Sequence, residues 1–298
     1  MFLLAPLVAA TMLAPYADQP AEPAGKRKEL VAVSLLPHDT AVKPGDTVQL
    51  AVVFDVAKDW HIYWPGQNDS GMATTVELSF PPGSGLTAGP VSFPIPKRYV
   101  EEGDILNYIH EGRVVVTVPV TVPATAPVGR AFKVTASVNY LVCKESCIPG
   151  EAVVSATFTT ADKTAGNAAD AKAIDDARAA QPKPQADGFD AAATAHWEGQ
   201  TLVLTAKDAA VTQVTFFPSE GGAKLRNPLA SGQSKGGTLK LAFDPGLKPV
   251  EGVVEFTSGN SRRAWAFHSA RPQETNGEPA PASPKPAPLA PPAEPSSR

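Results

Sequence analysis

The chain has 298 residues, with 26 basic against 30 acidic side chains and a formal net charge of −4. Because the charge is nearly balanced and no basic block or stripe is present, nucleic acid is excluded as an expected partner. The 31 prolines and 23 glycines predict many short strands joined by turns, and the length leaves room for two domains.

The chain opens with an apolar run, residues 1–14, that is too short to span a bilayer. A polar stretch rich in proline and alanine follows. This order is typical of a secretory signal peptide, with cleavage expected near Ala14 or Ala17; a buried N-terminal strand is the alternative. We assign residues 1–24 to the signal peptide and polar stretch. No other run approaches a membrane helix, so a periplasmic protein, soluble after cleavage, is expected.

A pattern of β-strands follows, expected to form one domain over residues 28–160. The strand-like runs are residues 31–36, 46–56, 60–64, 74–80, 113–120, 132–142 and 152–158. This spacing, with prolines at the strand ends, is typical of an immunoglobulin-like β-sandwich. The two cysteines, Cys143 and Cys147, are too close together for the inter-sheet bridge of antibody domains.

The rest of the chain divides into three segments, which makes the predicted fold class all-β with two sandwiches. Residues 161–187 are rich in helix formers, mostly alanine, and predict a surface helix in a linker. Residues 188–270 predict a second, smaller β-sandwich, whose strand-like runs are 201–205, 214–217, 238–243, 252–256 and 264–267. Residues 271–298 are proline-rich and predict a disordered tail.

Cys143 and Cys147 are the only cysteines of the chain. A disulfide between them would remove only roughly 2 kcal/mol of unfolded-state entropy, against ~4 or more for a long loop. The pair would therefore be a weak structural staple, which favours a redox pair. A structural surface disulfide is the alternative.

Other side chains suggest ligands, but each has a simpler explanation. Two thiolates suit Cu(I), so a copper site that adds His61 or His110 to the cysteines is an alternative, although no His-x-x-His motif supports it. The segment Asp69-Ser-Gly71 favours a turn over a nucleophile. We expect no cofactor and no metal as the main function.

Four sequence blocks occur in order around these residues: Trp60-His-Ile-Tyr-Trp-Pro-Gly66, Asp69-Ser-Gly71, Phe93-Pro-Ile-Pro96 and Tyr140-Leu-Val-Cys-Lys-Glu-Ser-Cys-Ile-Pro149. Over roughly residues 30–160 the chain resembles the N-terminal periplasmic domain of the thiol:disulfide interchange protein DsbD, particularly its ScsB-like branch (suppressor of copper sensitivity). The alanine-rich helix and Phe216-Phe-Pro218 resemble the second lobe of that branch.

The resemblance implies a thiol–disulfide exchange protein, which would act as a protein-disulfide reductase. In this family the cysteine pair receives electrons from a membrane-embedded domain and passes them, through mixed disulfides, to thioredoxin-like periplasmic proteins. Carried onto this chain, Cys143 and Cys147 are the redox pair and Cys147 is the partner-facing sulfur. The sequence contains neither a transmembrane hub nor a thioredoxin-like Cys-x-x-Cys motif. The electron donor is therefore expected to be a separate membrane protein, and the protein itself a monomer.

The resemblance also implies a loop over the cysteines at residues 98–108, where Tyr99, Ile105 or Tyr108 would shield the pair and open for a partner. An ordinary exposed hairpin loop is the alternative. The aromatic cluster of Trp60, Tyr63 and Trp64 is either part of this partner surface or, as is more common, sandwich core.

The residues next to the cysteines are expected to affect the thiolate and the strand that follows. Lys144 favours a thiolate while Glu145 opposes it, and Pro149 is expected to end the strand ladder after the pair. Two other functions stay open: a non-catalytic envelope binding module with a structural disulfide, and a copper-handling protein.

Overall fold

A computed structural model of the protein describes residues 30–166 and 168–272. The expected signal peptide and nearly all of the expected proline-rich tail lie outside the described residues. The first lobe contains β1 (Val31–Pro37), β2 (Ala41–Val42), β3 (Thr47–Val56), β4 (His61–Tyr63), β5 (Thr75–Ser79), β6 (Thr87–Ala88), β7 (Lys97–Glu101), β8 (Ile105–Glu111), β9 (Arg113–Thr121), β10 (Ala131–Cys143) and β11 (Cys147–Thr160). The helix α1 (Ala168–Ala179) follows. The second lobe contains α2 (Phe189–Ala192), β12 (Ala193–Glu198), β13 (Thr201–Ala206), β14 (Gln213–Pro218), α3 (Pro228–Ser231), β15 (Thr238–Ala242), β16 (Val250–Ser258) and β17 (Ser261–Ser269).

The protein is mostly β, with 53% strand and 8% helix, which confirms the predicted all-β class. The strand-like runs of the sequence fall on strands, and the structure adds β2, β6, β7, β8 and β12. Every helix within the described part of the chain is too short or too polar to cross a lipid bilayer.

Two sheets pack face to face in the first lobe. One has the strand order β1-β3-β9-β6, and the other has the order β2-β11-β10-β4-β8-β7, with β5 paired to β10. Side chains alternate between the two faces of a strand, so each strand contributes every second residue to the shared core. Phe54 and Val116 enter this core from the first sheet, and Ile62, Phe132 and Val142 enter it from the second.

The helix α1 lies on the outer face of the first of these sheets. The helix falls within residues 161–187, where the alanine-rich composition predicted a surface helix. Its Ile174 is fully buried and packs against Ala51 and Val53 of β3. Since Ala51 and Val53 are the outward residues of β3, this contact covers a sheet face that would otherwise be exposed.

The second lobe is built from two three-stranded sheets, β12-β13-β15 and β14-β16-β17. Its core lies between them and includes Phe189, Leu204, Phe216, Leu241 and Phe256. Burying a large apolar side chain contributes ~1.5–3 kcal/mol. This lobe therefore has a hydrophobic core of its own.

The two lobes share a smaller hydrophobic cluster. Trp64 and Tyr108 of the first lobe pack edge-on against Phe217 of the second, and Val253 and Ala264 complete the contact. All five side chains are buried. The apolar contact therefore joins β8 of the first lobe to the sheet β14-β16-β17 of the second.

Gln67 adds a polar connection between the lobes. Its Nε2 donates to the carbonyl oxygens of Ser219 (3.0 Å) and Ala223 (2.9 Å), and its Oε1 accepts from the amide of Leu225 (3.1 Å). The side chain thereby satisfies three backbone groups of the second lobe.

The expectation that Pro149 ends the strand ladder is wrong. The ladder of β10 and β11 runs from Cys143 opposite Cys147, past Leu141 opposite Pro149, and on along both strands. The other neighbour of β11 is β2, which pairs with it only at Thr159 and beyond. Pro149 therefore lies at an edge of the described sheet, where a missing N–H group removes no ladder bond.

Candidate active site

The two cysteines form a disulfide at the tip of the β10–β11 hairpin. Cys143 is the last residue of β10 and Cys147 the first of β11, and their Cα atoms are 4.2 Å apart. The turn between them is closed by a hydrogen bond from the Lys144 amide to the Ser146 carbonyl, at 3.2 Å. The spacing of the pair is therefore that of a tight hairpin turn.

The two sulfurs have very different access to solvent. Cys143 is only 2% exposed, because it packs beneath Tyr63 and Ile109. Cys147 is exposed. Cys147 is therefore the residue of the pair that an incoming thiolate can approach from solvent.

Neighbouring strands determine which side chains surround the pair. His61 of β4 lies opposite Cys143, and Tyr63 lies opposite Ile109 of β8. Residues on either side of these positions, such as Ile62, point into the hydrophobic core. The disulfide thus lies on the outward face of the larger sheet, in a patch of side chains from three strands.

Tyr63 brings a hydroxyl group to the exposed sulfur. Its Oη lies 3.9 Å from Cys147 Sγ and 3.4 Å from His61 Nε2. A disulfide sulfur carries no hydrogen, so Tyr63 is the donor of the first contact. Burial raises the pKa of Tyr63, and Glu101 and Tyr99 raise it further. The hydroxyl therefore keeps its proton at neutral pH.

His61 is uncharged beside the pair. Burial lowers the pKa of its imidazole, which outweighs the opposite effect of the carboxylates of Glu101 and Glu111. A neutral ring does not supply the positive charge that would favour a thiolate at Cys143 or Cys147. His61 therefore adds no charge beside the pair, whereas Lys144, in the turn between the cysteines, forms an ion pair with Asp59 at 3.7 Å.

The segment predicted as a loop over the cysteines is a β-hairpin, β7–β8. Tyr99 of β7 lies beside His61, with ring centroids 5.0 Å apart, and is 37% exposed. Ile105 lies at the far end of the hairpin, opposite Glu101, and is half-buried. Tyr99 and Glu101, whose carboxylate acts on His61 and Tyr63, are therefore the residues of β7 that lie near the site.

A loop that follows β4 is attached to β8 by side-chain hydrogen bonds. Asn68 Oδ1 accepts from the Tyr108 amide (2.7 Å), and Asp69 Oδ2 accepts from the Leu106 amide (2.8 Å). The amide of Ser70 donates to Asn107 Oδ1 at 3.1 Å. Through these hydrogen bonds between side chains and backbone amides, the loop is held along β8.

The same loop presses against Tyr63. Ser70 accepts a hydrogen bond from Asn107 Nδ2 at 2.9 Å, so its hydroxyl is part of the turn. Gly71 has φ +80°, and a Cβ atom there would lie 2.4 Å from the ring of Tyr63. Only glycine fits this position without a shift.

The remaining predicted residues lie elsewhere. Trp60 packs against the first-lobe core. Trp64 and Tyr108 lie in the cluster between the lobes, on the face of the sheet opposite to the disulfide. The structure thus brings Tyr63 to the disulfide and Tyr99 to His61 beside it.

Two neighbours of the pair, His61 and Ile109, had no place in the predicted exchange site, and neither did Gly71, which lies against the ring of Tyr63. The signal for His61 was present in the sequence, since it is two residues from Tyr63 on a predicted strand and so shares its face.

His110 lies away from the sulfurs. It is opposite Ile62 and stacks on Phe93, with ring centroids 6.2 Å apart. Of the two histidines considered for copper, only His61 is therefore close to the pair. Among the described residues, no group of three or more His, Cys, Asp or Glu side chains is arranged to hold a metal ion.

Buried His110 makes the stability of the protein dependent on pH. Burial, with a smaller effect of Lys97, lowers the pKa of His110 to about 3. Below pH ~6.5 the imidazole binds a proton in the unfolded chain but not in the folded protein. The free energy of unfolding therefore decreases as the pH falls, by up to ~1.4 kcal/mol per pH unit.

We expect His110→Leu to remove this dependence between pH 6.5 and 4, measured by urea unfolding at each pH. An identical slope in wild type and His110→Leu would contradict the prediction.

Residues 32–159 match the family model described as "Thiol:disulfide interchange protein DsbD, N-terminal". The crystal structure of the N-terminal periplasmic domain of ScsB from Proteus mirabilis is similar in fold, with a TM-score of 0.51 and 13% sequence identity, covering 80% of this chain and 92% of that chain. The likeness therefore extends over both lobes.

Two structures from Neisseria meningitidis also match. One is the DsbD N-terminal domain in the reduced form, with 17% identity, 42% of this chain and 89% of that chain covered, and a TM-score of 0.24. The other is the complex between the DsbD N-terminal and PilB N-terminal domains, with 18% identity, 40% and 80% covered, and a TM-score of 0.24. The search of curated proteins found no match to the chain.

Proposed function

Because residues 32–159 form a DsbD N-terminal-like domain, we propose that the protein exchanges thiols and disulfides in the periplasm through Cys143 and Cys147. The observation that carries the proposal is the unequal exposure of the pair. Cys143 is 2% exposed and Cys147 is open to solvent. This arrangement suits one sulfur that meets the partner and another that resolves the mixed disulfide.

Reduction of the domain begins with the donor. A thiolate of the donor attacks Cys147 Sγ, the bond between the two sulfurs breaks, and Cys143 leaves as a thiolate. The second thiol of the donor then attacks the donor's own sulfur and releases Cys147. Two electrons pass to the pair, the donor keeps the new disulfide, and the two sulfurs take protons from solvent.

The second half-reaction passes the electrons on. The thiolate of Cys147 attacks the disulfide of an acceptor and forms a mixed disulfide. Cys143 then attacks Cys147, which restores the internal disulfide and releases the acceptor as a dithiol. Because the two cysteines are opposite each other in the hairpin, Cys143 needs no large movement to reach Cys147.

Tyr63 supports the exposed sulfur in this scheme. Its hydroxyl lies 3.9 Å from Cys147 Sγ and keeps its proton at neutral pH. A hydroxyl donor favours the charged form of a neighbouring sulfur. It would therefore stabilise Cys147 whenever this sulfur is the attacking or the leaving thiolate.

The partners follow from the family of the domain. We propose a separate membrane-embedded electron-transfer protein as the donor and thioredoxin-like periplasmic proteins as the acceptors. The chain would then act as the intermediate between membrane and periplasm. This role makes the protein a disulfide reductase that uses no cofactor.

We propose a matching domain organisation. A signal peptide and polar stretch (1–24) precede an immunoglobulin-like sandwich (28–160), a helical linker (161–187), a second β domain (188–270) and a proline-rich tail (271–298). In support, β1 to β11 lie within the range of the first sandwich, and β12 to β17 lie within the range of the second β domain.

A redox titration tests the function. We expect the pair to equilibrate with glutathione or dithiothreitol buffers at a midpoint between about −270 and −120 mV, the range of exchange proteins. Thiol alkylation and mass spectrometry measure the reduced fraction. Structural disulfides have midpoints below about −300 mV, so a pair that stays oxidised at such potentials would mean that the bond only holds the hairpin together.

A further inference from the structure

Tyr63 and His61 form a buried chain of polar groups that ends at Cys147. Tyr63 is 1% exposed and His61 is 5% exposed. Tyr63 Oη lies 3.4 Å from His61 Nε2 and 3.9 Å from Cys147 Sγ. Because buried polar groups are hydrogen-bonded, these contacts connect the imidazole to the exposed sulfur through the hydroxyl.

The direction of the two hydrogen bonds determines which nitrogen of His61 carries a hydrogen. The hydroxyl has a single hydrogen and a disulfide sulfur has none, so Tyr63 donates to Cys147 Sγ. Its oxygen then accepts from His61, which requires a hydrogen on Nε2. In a neutral imidazole the other nitrogen, Nδ1, has no hydrogen. Nδ1 is therefore the position at which His61 can take up a further proton.

The charges around His61 oppose the effect of its burial. The charged and titratable groups on the neighbouring elements are Tyr99 and Glu101 of β7, Glu111 of β8 with its ion-pair partner Lys97, Cys143 of β10, and Lys144 in the turn, paired with Asp59. Burial lowers the pKa of His61, whereas the carboxylates of Glu101 and Glu111 raise it. A thiolate at Cys147 would add another negative charge and raise this pKa further.

We propose that His61 takes up the proton that Cys147 releases, so that the reduced pair contains a thiolate and an imidazolium bridged by the hydroxyl of Tyr63. The S–H bond of Cys147 breaks, its electron pair stays on the sulfur, and an Nδ1–H bond forms on His61. Tyr63 keeps its own proton and donates to the thiolate. His61 does not contact the sulfur, so it is a positioning residue that acts through Tyr63. The inference rests on the proposed function, because it concerns the sulfur that attacks the acceptor.

This proton transfer predicts an unusual pH dependence for Cys147. A thiolate beside an imidazolium contains as many protons as a thiol beside a neutral imidazole, so the ratio of these two states does not change with pH. The thiolate fraction of an isolated thiol, with a pKa of about 8.5, falls about tenfold for each pH unit below that value. Cys147 should therefore remain reactive as the pH falls from 7 to 6.

The first test measures alkylation of Cys147 by iodoacetamide in Cys143→Ser, which leaves one thiol in the chain. We expect the rate to level off between pH 7 and pH 6. In Cys143→Ser/His61→Gln the rate should continue to fall about tenfold per pH unit and be several-fold slower at pH 6. Glutamine can donate to Tyr63 but does not titrate. The same pH profile in both proteins would overturn the proposal.

The matched control is His268→Gln in the same Cys143→Ser background. His268 lies in β17 of the second lobe, and its side chain is 64% exposed. This variant should show the same levelling of the rate as Cys143→Ser alone. If it lost the levelling, the proton acceptor would not be His61, and the proposal would be overturned.

Tyr63→Phe tests the bridge and keeps the test valid if His61→Gln folds poorly. The phenyl ring can still pack on Cys143, but the hydroxyl is lost. In the Cys143→Ser background this variant should also lose the levelling, and adding His61→Gln should slow the reaction no further. A Tyr63→Phe protein that is folded by circular dichroism and still levels off would overturn the proposal. So would a second several-fold loss in the double variant, because His61 would then act by another route.

The outcomes can be distinguished from those that concern the proposed function. A midpoint below about −300 mV would refute the exchange function, but alkylation of Cys143→Ser needs neither a partner nor the disulfide and still tests His61. Equal pH profiles with and without His61 would refute the role of His61, while the redox titration could still support exchange through the cysteines.

Discussion

Cys143→Ser is expected to convert the protein into a trap that holds its partner in a stable mixed disulfide through Cys147. The exposed thiol of Cys147 can still attack, whereas serine in place of Cys143 cannot resolve the product. Cys147→Ser is expected to abolish exchange, because Cys143 is 2% exposed and lies beneath Tyr63 and Ile109.

The measurement uses a thioredoxin that retains a single active-site cysteine, activated as its mixed disulfide with thionitrobenzoate. Attack by Cys147 releases the coloured thionitrobenzoate, and non-reducing electrophoresis then separates the trapped complex. The reduced wild type should release both the dye and the free thioredoxin. Cys143→Ser should release the dye and remain bound.

The control is Cys143→Ser/Cys147→Ser, which should release no dye above the background. If Cys147→Ser formed the mixed disulfide as fast as Cys143→Ser, the assignment of Cys147 as the partner-facing sulfur would be wrong. If the double variant still supported reduction of a partner, the pair would not be the site.

Gly71→Ala is expected to destabilise the first lobe and to displace Tyr63 from the disulfide. A side chain at φ +80° costs ~1–2 kcal/mol, and the overlap of its Cβ atom with the Tyr63 ring adds ~1–3 kcal/mol. Urea unfolding measures the sum. Because the Tyr63 hydroxyl lies beside Cys147, exchange with the activated thioredoxin should slow as well.

Gly129→Ala is a matched control. Gly129 has φ +85°, and a Cβ atom there would meet nothing within 4 Å. Gly129→Ala should therefore lower the free energy of unfolding only by the cost of a side chain at positive φ, and it should leave the exchange rate unchanged. If Gly71→Ala and Gly129→Ala lost the same stability, the Tyr63 ring would have moved aside without cost, and the loop would not hold it in place.

Local patterns were sufficient to predict most strands but not β8. In β10, buried residues alternate with less buried ones because one face of the strand packs on the core, and this alternation is visible in the sequence. β3 is instead recognised as a continuous apolar run, which is buried on both faces. In β8, by contrast, consecutive residues from Leu106 to His110 are all buried. The second lobe covers one face and the disulfide patch lies on the other, so no alternation remains to be recognised.

The roles of the aromatic residues could not be predicted for a related reason. Tyr63 and Trp64 are adjacent in the sequence, yet they point to opposite faces of the sheet. One reaches the cysteines and the other reaches Phe217 of the second lobe. The choice depends on which elements cover each face, and those elements are distant along the chain.

The all-β class, the isolated cysteine pair and the resemblance of residues 30–160 to the DsbD N-terminal domain could be predicted from the sequence. These properties depend on strand periodicity and on motifs of a few residues. The folded structure was needed to show that Cys147 is exposed and Cys143 buried, and that Trp64 and Tyr108 pack against Phe217 of the second lobe. Cys143 is buried by residues from other strands, Tyr63 and Ile109. These residues are distant along the chain, so a motif of a few residues around the cysteines does not include them.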